Sequence, residues 1–131
     1  MRLMSPGASP CPFCALPRER IWRESAEAVA VFDGYPLTEG HTLVIPKRHV
    51  GSFFELTMED QSAILRFVNE VRMELLHRFQ PDSFNLGLND GPEAGQTVGH
   101  CHLHLIPRRR GDVPDPRGGV RWVIPSKARY W

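Results

Sequence analysis

Residues 95–106 carry three histidines at every second position: Gly95-Gln96-Thr97-Val98-Gly99-His100-Cys101-His102-Leu103-His104-Leu105-Ile106. Successive side chains of a β-strand point to opposite faces, so the alternation predicts a strand with His100, His102 and His104 on one face. The rise of a strand would space neighbouring imidazoles on that face by roughly 6–7 Å. Packing alone rarely produces such a pattern. The face therefore predicts either metal ligation or nucleophilic catalysis.

The turn before this strand favours a phosphate as the ligand. Gly95 and Gly99 let the backbone come close to a ligand, Thr97 offers a hydroxyl and Gln96 offers an amide. Consecutive backbone N–H groups in such a turn can form a nest that binds anions. The segment thus predicts a phosphate site beside the histidines.

The rest of the chain predicts further strands over residues 26–32, 41–45, 83–89 and 120–124, together with one long helix. The helix is expected to begin after the capping residue Thr57, and its apolar residues recur at helical spacing as far as Phe79, before Pro81 ends it. Strands joined by short turns around one inserted helix predict an α+β domain with a mostly antiparallel sheet.

Length and composition narrow the class of protein. The 131 residues suit one domain over residues 11–131, preceded by a flexible lead-in over residues 1–10. The chain is 41% hydrophobic and 24% charged with a net charge of +1, so we expect no general affinity for nucleic acid or membranes. No apolar run approaches the roughly 18 residues that span a bilayer, and the first residues do not resemble a secretory signal. The cytoplasm is the expected compartment.

Two of the three cysteines lie close together, as Cys11-Pro12-Phe13-Cys14. In a reducing compartment, such a pair is more often half of a metal site or a redox pair than a structural disulfide. The third, Cys101, alternates with the histidines and is expected to face the core.

The histidine stretch resembles the signature of the histidine triad (HIT) family. The segment from Gly40 to His49, together with Phe32-Asp33 and Asn89-Asp90-Gly91, resembles further blocks of that family in the same order. The resemblance covers about residues 11–125, and residues 111–125 are similar to bacterial members described as diadenosine-polyphosphate hydrolases. It implies a five-stranded antiparallel sheet with one long helix and short helical segments, continued across a homodimer.

The resemblance also implies roles for individual residues. His102 would be the nucleophile that attacks the α-phosphorus of an adenine nucleotide or dinucleoside polyphosphate, and water would then release the monophosphate. His104 would contact the phosphate and assist the leaving group, and His41 would support these histidines from a neighbouring strand. The remaining positions would bind the nucleotide: Gln96, Gly95, Thr97 and Asn89 near the phosphates, Asp33 at the ribose, and Phe13 and Leu16 at the base.

A structural zinc site follows from the same resemblance. Some members, and the related galactose-1-phosphate uridylyltransferases, combine a Cys-x-x-Cys pair with a distant histidine and the first histidine of the triad. In this chain the corresponding ligands are Cys11, Cys14, His49 and His100. Such a site would fasten the N-terminal segment to the sheet, which stabilises a small domain.

Several alternatives stay open at the level of sequence. The leaving group is either a nucleotide, as in dinucleoside polyphosphates, or an amine, as in adenosine phosphoramidates. An acceptor other than water would make the protein a nucleotidyltransferase. A catalytic metal held by all three histidines is a different class of enzyme, and a nucleotide-binding protein with little turnover is another reading of the same site.

Overall fold

The computed structural model describes residues 11–131, and the predicted flexible lead-in over residues 1–10 lies outside the described residues. Its regular elements are β1 (Ile21–Glu24), β2 (Ala28–Phe32), β3 (Thr42–Pro46), α1 (Met58–Phe79), β4 (Ser83–Leu88) and β5 (Leu103–Arg108). Short 3-10 helices occur at Arg18–Arg20, Phe53–Glu55, Pro92–Ala94, Gly119–Val123 and Pro125–Lys127. None of the helices in residues 11–131 has the length and apolar character needed to cross a membrane.

The five strands form one antiparallel sheet in the order β1-β2-β3-β5-β4. β5 therefore lies inside the sheet, between β3 and β4. One face of the sheet packs against α1, whose buried residues are Ile64, Phe67, Val68, Val71 and Leu75. The predicted α+β fold, with its antiparallel sheet and one long helix, is confirmed.

Local sequence explains the ends of the helix. The Thr57 side chain accepts a hydrogen bond from the backbone N–H of Asp60, which satisfies one of the unpaired amides of the first turn. At the other end Gln80 adopts a left-handed conformation with φ of 50°, just before Pro81. The helix thus begins and ends where the sequence predicted.

The histidine stretch enters the sheet later than predicted, because β5 begins at Leu103. His100 and His102 precede the strand, and the backbone N–H of Cys101 donates to the carbonyl of Val50. The alternation of faces nevertheless extends back through this segment, since Cys101, Leu103 and Leu105 are all buried in the core beside α1.

The predicted strand over residues 120–124 is wrong. Gly119–Val123 is a 3-10 helix, and both its N-cap Gly118, with φ of 92°, and its first residue Gly119, with φ of 42°, have positive φ. The indole N–H of Trp122 donates to the carbonyl of Arg117 and helps to curl the segment. The fifth strand is instead β1, which the sequence reasoning missed. Its Trp22 stacks on Phe32 with ring centroids 5.5 Å apart.

Candidate active site and metal cluster

His102 has one ring nitrogen fixed and the other available. Its Nδ1 lies 2.9 Å from the backbone carbonyl oxygen of His100. A carbonyl oxygen only accepts hydrogen bonds, so Nδ1 carries the proton and Nε2 carries the lone pair. This is the tautomer that a nucleophilic imidazole requires, because no base has to remove a proton before attack.

A chain of hydrogen bonds fixes the neighbouring imidazoles in the same way. The backbone N–H of Leu37 donates to Nδ1 of His41 at 3.1 Å, so the proton of a neutral His41 is on Nε2. That Nε2 lies 3.0 Å from Nδ1 of His104, which must therefore accept. A neutral His104 then carries its own proton on Nε2, as a hydrogen-bond donor. The ring centroids of His102 and His104 are 5.3 Å apart, so a lone pair and a donor lie side by side.

Burial keeps the imidazoles of His41 and His104 neutral near pH 7. It is the main cause that lowers the pKa of His41 below the ordinary value of 6.5, and the carboxylate of Asp33 opposes the shift. Burial also lowers the pKa of His104, with further lowering by His102 and His41 and an opposing effect of Asp33. The neutral forms are those that the hydrogen-bond chain requires.

Asp33 lies at the same corner of the sheet, directly after β2. One carboxylate oxygen accepts from the backbone N–H of Tyr35 at 2.8 Å, and the other lies 3.5 Å from Nε2 of His41 and 3.9 Å from Nδ1 of His104. The residue thus forms a local turn and adds negative charge beside the two histidines. The structure brings together four predicted site residues here: Asp33, His41, His102 and His104.

Three hydrogen bonds to the backbone hold the side chain of Gln96. It is 2% exposed, and its amide nitrogen donates to the carbonyls of Gly51 and Val98 at 2.8 and 3.0 Å. Its amide oxygen accepts from the backbone N–H of Gly91 at 2.8 Å. These bonds hold the loop together, and the phosphate contact expected for Gln96 stays a prediction.

Other backbone amides of this loop are available to bind an anion. The amides of Ala94, Gly95 and Gln96 bind carbonyls within the turn itself. In the part of the chain that the structure describes, the amides of Thr97, Val98 and Gly99 donate to no backbone carbonyl. The exposed Thr97 adds a hydroxyl at this point. The loop thus offers hydrogen-bond donors just before the histidines, and the phosphate contact expected at Gly95 stays a prediction.

Phe13 and Leu16 contribute to an apolar surface on the face of the sheet away from α1. They pack, with Ile21, against buried side chains of β2 and β3: Val29, Val31, Leu43 and Ile45. The Phe13 ring meets the His102 ring edge-on, with centroids 5.0 Å apart. An apolar wall therefore adjoins the free imidazole, as a site for a nucleotide base requires.

Asn89 is exposed and lies near His104. Together with His104 it lines a cavity of about 790 Å³, whose far wall is the C-terminal segment. The sequence did not predict that this segment lies beside the histidines.

The sequence did not predict the structural role of Asp90. Its carboxylate accepts from the hydroxyl of Ser52 and the backbone N–H of Phe53, both at 3.0 Å. It thereby fastens the loop after β4 to the start of the 3-10 helix Phe53–Glu55. An acidic residue in an Asn-Asp-Gly turn is the sequence feature that points to this role. It does not identify the residues that Asp90 binds.

The four predicted metal ligands lie together, with their ligand atoms within 4.8 Å of one another: Cys11, Cys14, His49 and His100. Nδ1 of His100 is 3.4 Å from Sγ of Cys11, 3.6 Å from Sγ of Cys14 and 3.1 Å from Nδ1 of His49. Sγ of Cys14 is 3.1 Å from Nδ1 of His49. A tetrahedral zinc site, with bonds of about 2.0–2.3 Å, places its ligand atoms about 3.3–3.8 Å apart. The cluster fits such an ion with only small adjustments.

His100 is also oriented for ligation. Its Nε2 lies 2.7 Å from the carbonyl oxygen of Pro46, so that nitrogen carries the proton and Nδ1 presents its lone pair to the cluster. Histidine ligands of metals are commonly held by such a bond on the other ring nitrogen. The backbone carbonyl of the same His100 accepts from His102. His100 therefore belongs to the candidate metal site through its side chain and to the candidate active site through its backbone.

Comparison with known proteins places this geometry in a family. Residues 18–111 match the model of the HIT domain. The chain belongs to the HIT domain family.

Three HIT proteins illustrate the relationship. An uncharacterised 16.1 kDa HIT-like protein of Mycoplasma pneumoniae is 34% identical over 102 residues, which cover 75% of this chain and 71% of that protein. The bifunctional bis(5'-adenosyl)-triphosphatase/adenylylsulfatase FHIT of Arabidopsis thaliana is 36% identical over 101 residues, or 77% of this chain and 56% of that protein. The crystal structure of a Zn-bound histidine triad family protein from Mycobacterium smegmatis superposes with a TM-score of 0.70 at 34% identity, over 86% of this chain and 89% of that one.

Proposed function

We propose that this HIT protein hydrolyses an adenine nucleotide derivative at its α-phosphate through a nucleotidyl-histidine intermediate on His102. The observation that carries the proposal is the hydrogen bond from Nδ1 of His102 to the carbonyl of His100, which leaves Nε2 free. The neighbouring His104 is oriented by His41 as a donor. The lone pair on Nε2 of His102 and the N–H donor of the adjacent His104 suit a two-step displacement at phosphorus.

In the first step, the Nε2 lone pair of His102 forms a bond to the α-phosphorus. The bond from phosphorus to the leaving group breaks, and its electron pair goes to the leaving oxygen or nitrogen. The imidazole becomes cationic, and the His100 carbonyl stabilises it through the Nδ1–H bond. The Nε2–H of His104 donates a hydrogen bond to a leaving oxygen as negative charge develops there, whereas a leaving nitrogen takes a proton from solvent and departs as the neutral amine.

In the second step, a water oxygen forms a bond to the same phosphorus and the N–P bond breaks. Its electron pair returns to Nε2 of His102, the monophosphate leaves, and the proton of the water passes to solvent. The amides of Thr97, Val98 and Gly99 are placed to donate to the phosphate oxygens in both steps. Preorganised donors of this kind often contribute most to catalysis.

The adenine nucleotide is proposed from the surroundings of His102 and from a relative. The apolar wall at Phe13 and Leu16 suits a base, and the Asp33 carboxylate suits ribose hydroxyls. The Arabidopsis relative is named for two substrates, bis(5'-adenosyl)-triphosphate and adenylylsulfate, which share an adenylyl group. Adenosine phosphoramidates, and transfer to an acceptor other than water, are the alternatives within the same chemistry.

Substitution of His102 tests the proposal. His102→Asn removes the nucleophile but keeps a polar side chain, so release of AMP from diadenosine tetraphosphate and from adenosine phosphoramidate should fall below detection while AMP still binds. His77→Asn, which changes an exposed imidazole on α1, is the matched control and should retain full activity. Trapping with radiolabelled substrate in an alkaline denaturing quench, in which the N–P bond survives, should find the adduct on His102. Unchanged turnover in His102→Asn would refute the mechanism.

We further propose that zinc binds Cys11, Cys14, His49 and His100 in a structural role. The ligand set is closed, since two thiolates and two imidazoles complete a tetrahedron and leave no position for substrate. Thiolate ligands require a reducing compartment, which supports the expected cytoplasmic location. The ion would fasten residues 11–14 to the sheet and hold the imidazole of His100, while His102 and His104 carry out the chemistry.

The homodimer that the family resemblance implies stays a prediction. Sedimentation of the purified protein at micromolar concentration should give about twice the chain mass of 14.9 kDa.

A further inference from the structure

Phe13 lies between the two cysteines of the candidate metal site and also contacts the proposed nucleophile. Its ring meets the His100 ring edge-on, with centroids 6.0 Å apart, and the His102 ring in the same way, with centroids 5.0 Å apart. The sulfur atoms of Cys11 and Cys14 lie 3.4 and 3.6 Å from Nδ1 of His100. One short segment therefore touches both the candidate metal site and the candidate active site.

Side chains, rather than backbone, hold this segment on the sheet. Among the residues that the structure describes, the backbone of residues 11–17 forms hydrogen bonds only within residues 11–20. The two cysteines contact the histidines of the candidate metal site, and Phe13 and Leu16 pack against buried side chains of β2 and β3. Ordering such a segment costs conformational entropy, so its order depends on what binds to its side chains.

A metal ion would fix the segment from one side. The candidate metal site supplies two thiols and two imidazoles whose ligand atoms lie within 4.8 Å of one another. Zinc binds such a set through four bonds of about 2.0–2.3 Å, and two of them would hold Cys11 and Cys14, on either side of Phe13. The Phe13 ring would then be set against His102 before a nucleotide arrives.

A nucleotide would fix the segment from the other side. Phe13 is half-buried, and its remaining surface belongs to the apolar wall where the base of the proposed substrate packs beside His102. Each ligand would order Phe13, and the second ligand to bind would find it already ordered. Two ligands that order one segment bind cooperatively even when no atom of one touches the other.

We propose that Phe13 couples the candidate metal site to the nucleotide site, so that zinc and an adenine nucleotide bind this chain cooperatively. The inference rests on the proposed function and adds a regulation of that site. By linkage, zinc raises the affinity for the nucleotide by the same factor by which the nucleotide raises the affinity for zinc. The metal thereby controls substrate binding without contacting the substrate.

Binding of AMP, the product of the proposed reaction, tests the coupling without requiring turnover. The dissociation constant for AMP, measured by calorimetry, should rise at least about tenfold when a chelator has removed the zinc. Phe13→Ala keeps the four metal ligands but removes the ring, so removal of zinc should change its dissociation constant for AMP by less than about twofold. Phe54→Ala removes an exposed ring outside the site and, as the matched control, should keep the full coupling.

The reciprocal measurement uses the zinc-loaded protein and does not depend on the folding of the metal-free form. Saturating AMP should raise the affinity for zinc, measured in competition with a chromophoric chelator, by the same factor. The same concentration of AMP added to Phe13→Ala corrects for the zinc that AMP itself binds.

The outcomes distinguish the coupling from the proposed function. If AMP binds neither form of the protein, the proposed nucleotide function fails, and the coupling fails with it. If AMP binds equally well with and without zinc, the coupling is refuted while the His102 mechanism stands. Equal coupling in the wild type and in Phe13→Ala would also overturn the proposal, because the metal would then act on the nucleotide by a path that does not include Phe13.

Discussion

Nε2 of His41 lies 3.0 Å from Nδ1 of His104, and the backbone N–H of Leu37 fixes the direction of that hydrogen bond. The buried His41 thus determines which nitrogen of His104 carries the proton. In the proposed mechanism, His41 acts through His104 and is a positioning residue. Its contribution should appear in kcat rather than in the binding of nucleotide.

The first prediction concerns this pair. His41→Ala should lower kcat by roughly 10- to 100-fold with little change in KM, because His104 loses its orientation and its fixed tautomer. His41→Gln keeps an N–H donor near Nδ1 of His104 and should recover part of the loss. Steady-state kinetics well below the unfolding temperature of each variant measure both effects. Equal kcat values for the two variants would contradict the positioning role.

The second prediction concerns pH and stability. Burial lowers the pKa of His41 and His104 below 6.5, so between their folded values and 6.5 the unfolded chain binds more protons than the folded one. The free energy of unfolding should therefore fall as the pH drops through 6.5, by at most about 1.4 kcal/mol per pH unit for each group. Urea unfolding at pH 7.5, 6.5 and 5.5 measures this slope. It should be shallower in His41→Gln, and identical slopes in the two proteins would refute the assignment.

The third prediction concerns the metal cluster. Purified protein should hold about one zinc per chain, and Cys14→Ala should lose most of it together with about 3 kcal/mol or more of stability at saturating zinc. Cys101→Ala is the matched control, because Cys101 lies in the core and outside the cluster. It should keep its zinc, and so should His102→Asn. Loss of zinc from His104→Ala would instead assign the metal to the group formed by Asp33, His41 and His104.

The fourth prediction concerns Gln96. Gln96→Ala leaves the N–H of Gly91 and the carbonyls of Gly51 and Val98 without their partner, and should destabilise the fold by about 2–3 kcal/mol. Gln96→Glu keeps the acceptor for Gly91 and should lie between alanine and the wild type. Thermal unfolding measures the loss. A large rise in KM for the nucleotide at unchanged stability would instead indicate that Gln96 contacts the phosphate directly.

The fifth prediction concerns Gly40, which precedes His41. Gly40 has φ of 89°, and a Cβ there would lie 2.9 Å from Cδ2 of Phe79. Gly40→Ala should therefore destabilise the protein by about 2 kcal/mol or more, through backbone strain and overpacking. Gly34→Ala, in the same loop, meets nothing within 4 Å and should change stability by less than about 0.5 kcal/mol. Similar losses in both variants would contradict the steric argument.

Periodic patterns in the sequence predicted much of the site. Alternation placed Cys101, Leu103 and Leu105 in the core, and the family resemblance brought together Cys11, Cys14, His49 and His100 although they are far apart in the chain. The first feature follows from the facing of side chains along a strand, which can be read from a single sequence. The second depends on the resemblance to other family members.

The features that the sequence did not predict depend on contacts between distant residues or on backbone conformation. A glutamine amide bonds equally well to a ligand or to backbone, and nothing near Gln96 in sequence indicates the carbonyl of Gly51, which lies 45 residues away. Residues 120–124 have the β-branched and aromatic composition of a strand, but two left-handed glycines before them start a 3-10 helix. The short β1 has too few residues for its alternation to stand out.

The double role of His100 has a practical consequence at the bench. Its imidazole lies in the cysteine cluster, and its carbonyl fixes the tautomer of His102, the proposed nucleophile. If zinc binds this cluster as proposed, chelators in a lysis buffer, oxidation during storage or exchange of the ion on a nickel column would each disturb the same residue. Rates measured on different preparations of this protein are therefore comparable only when the metal content of each batch is measured alongside them.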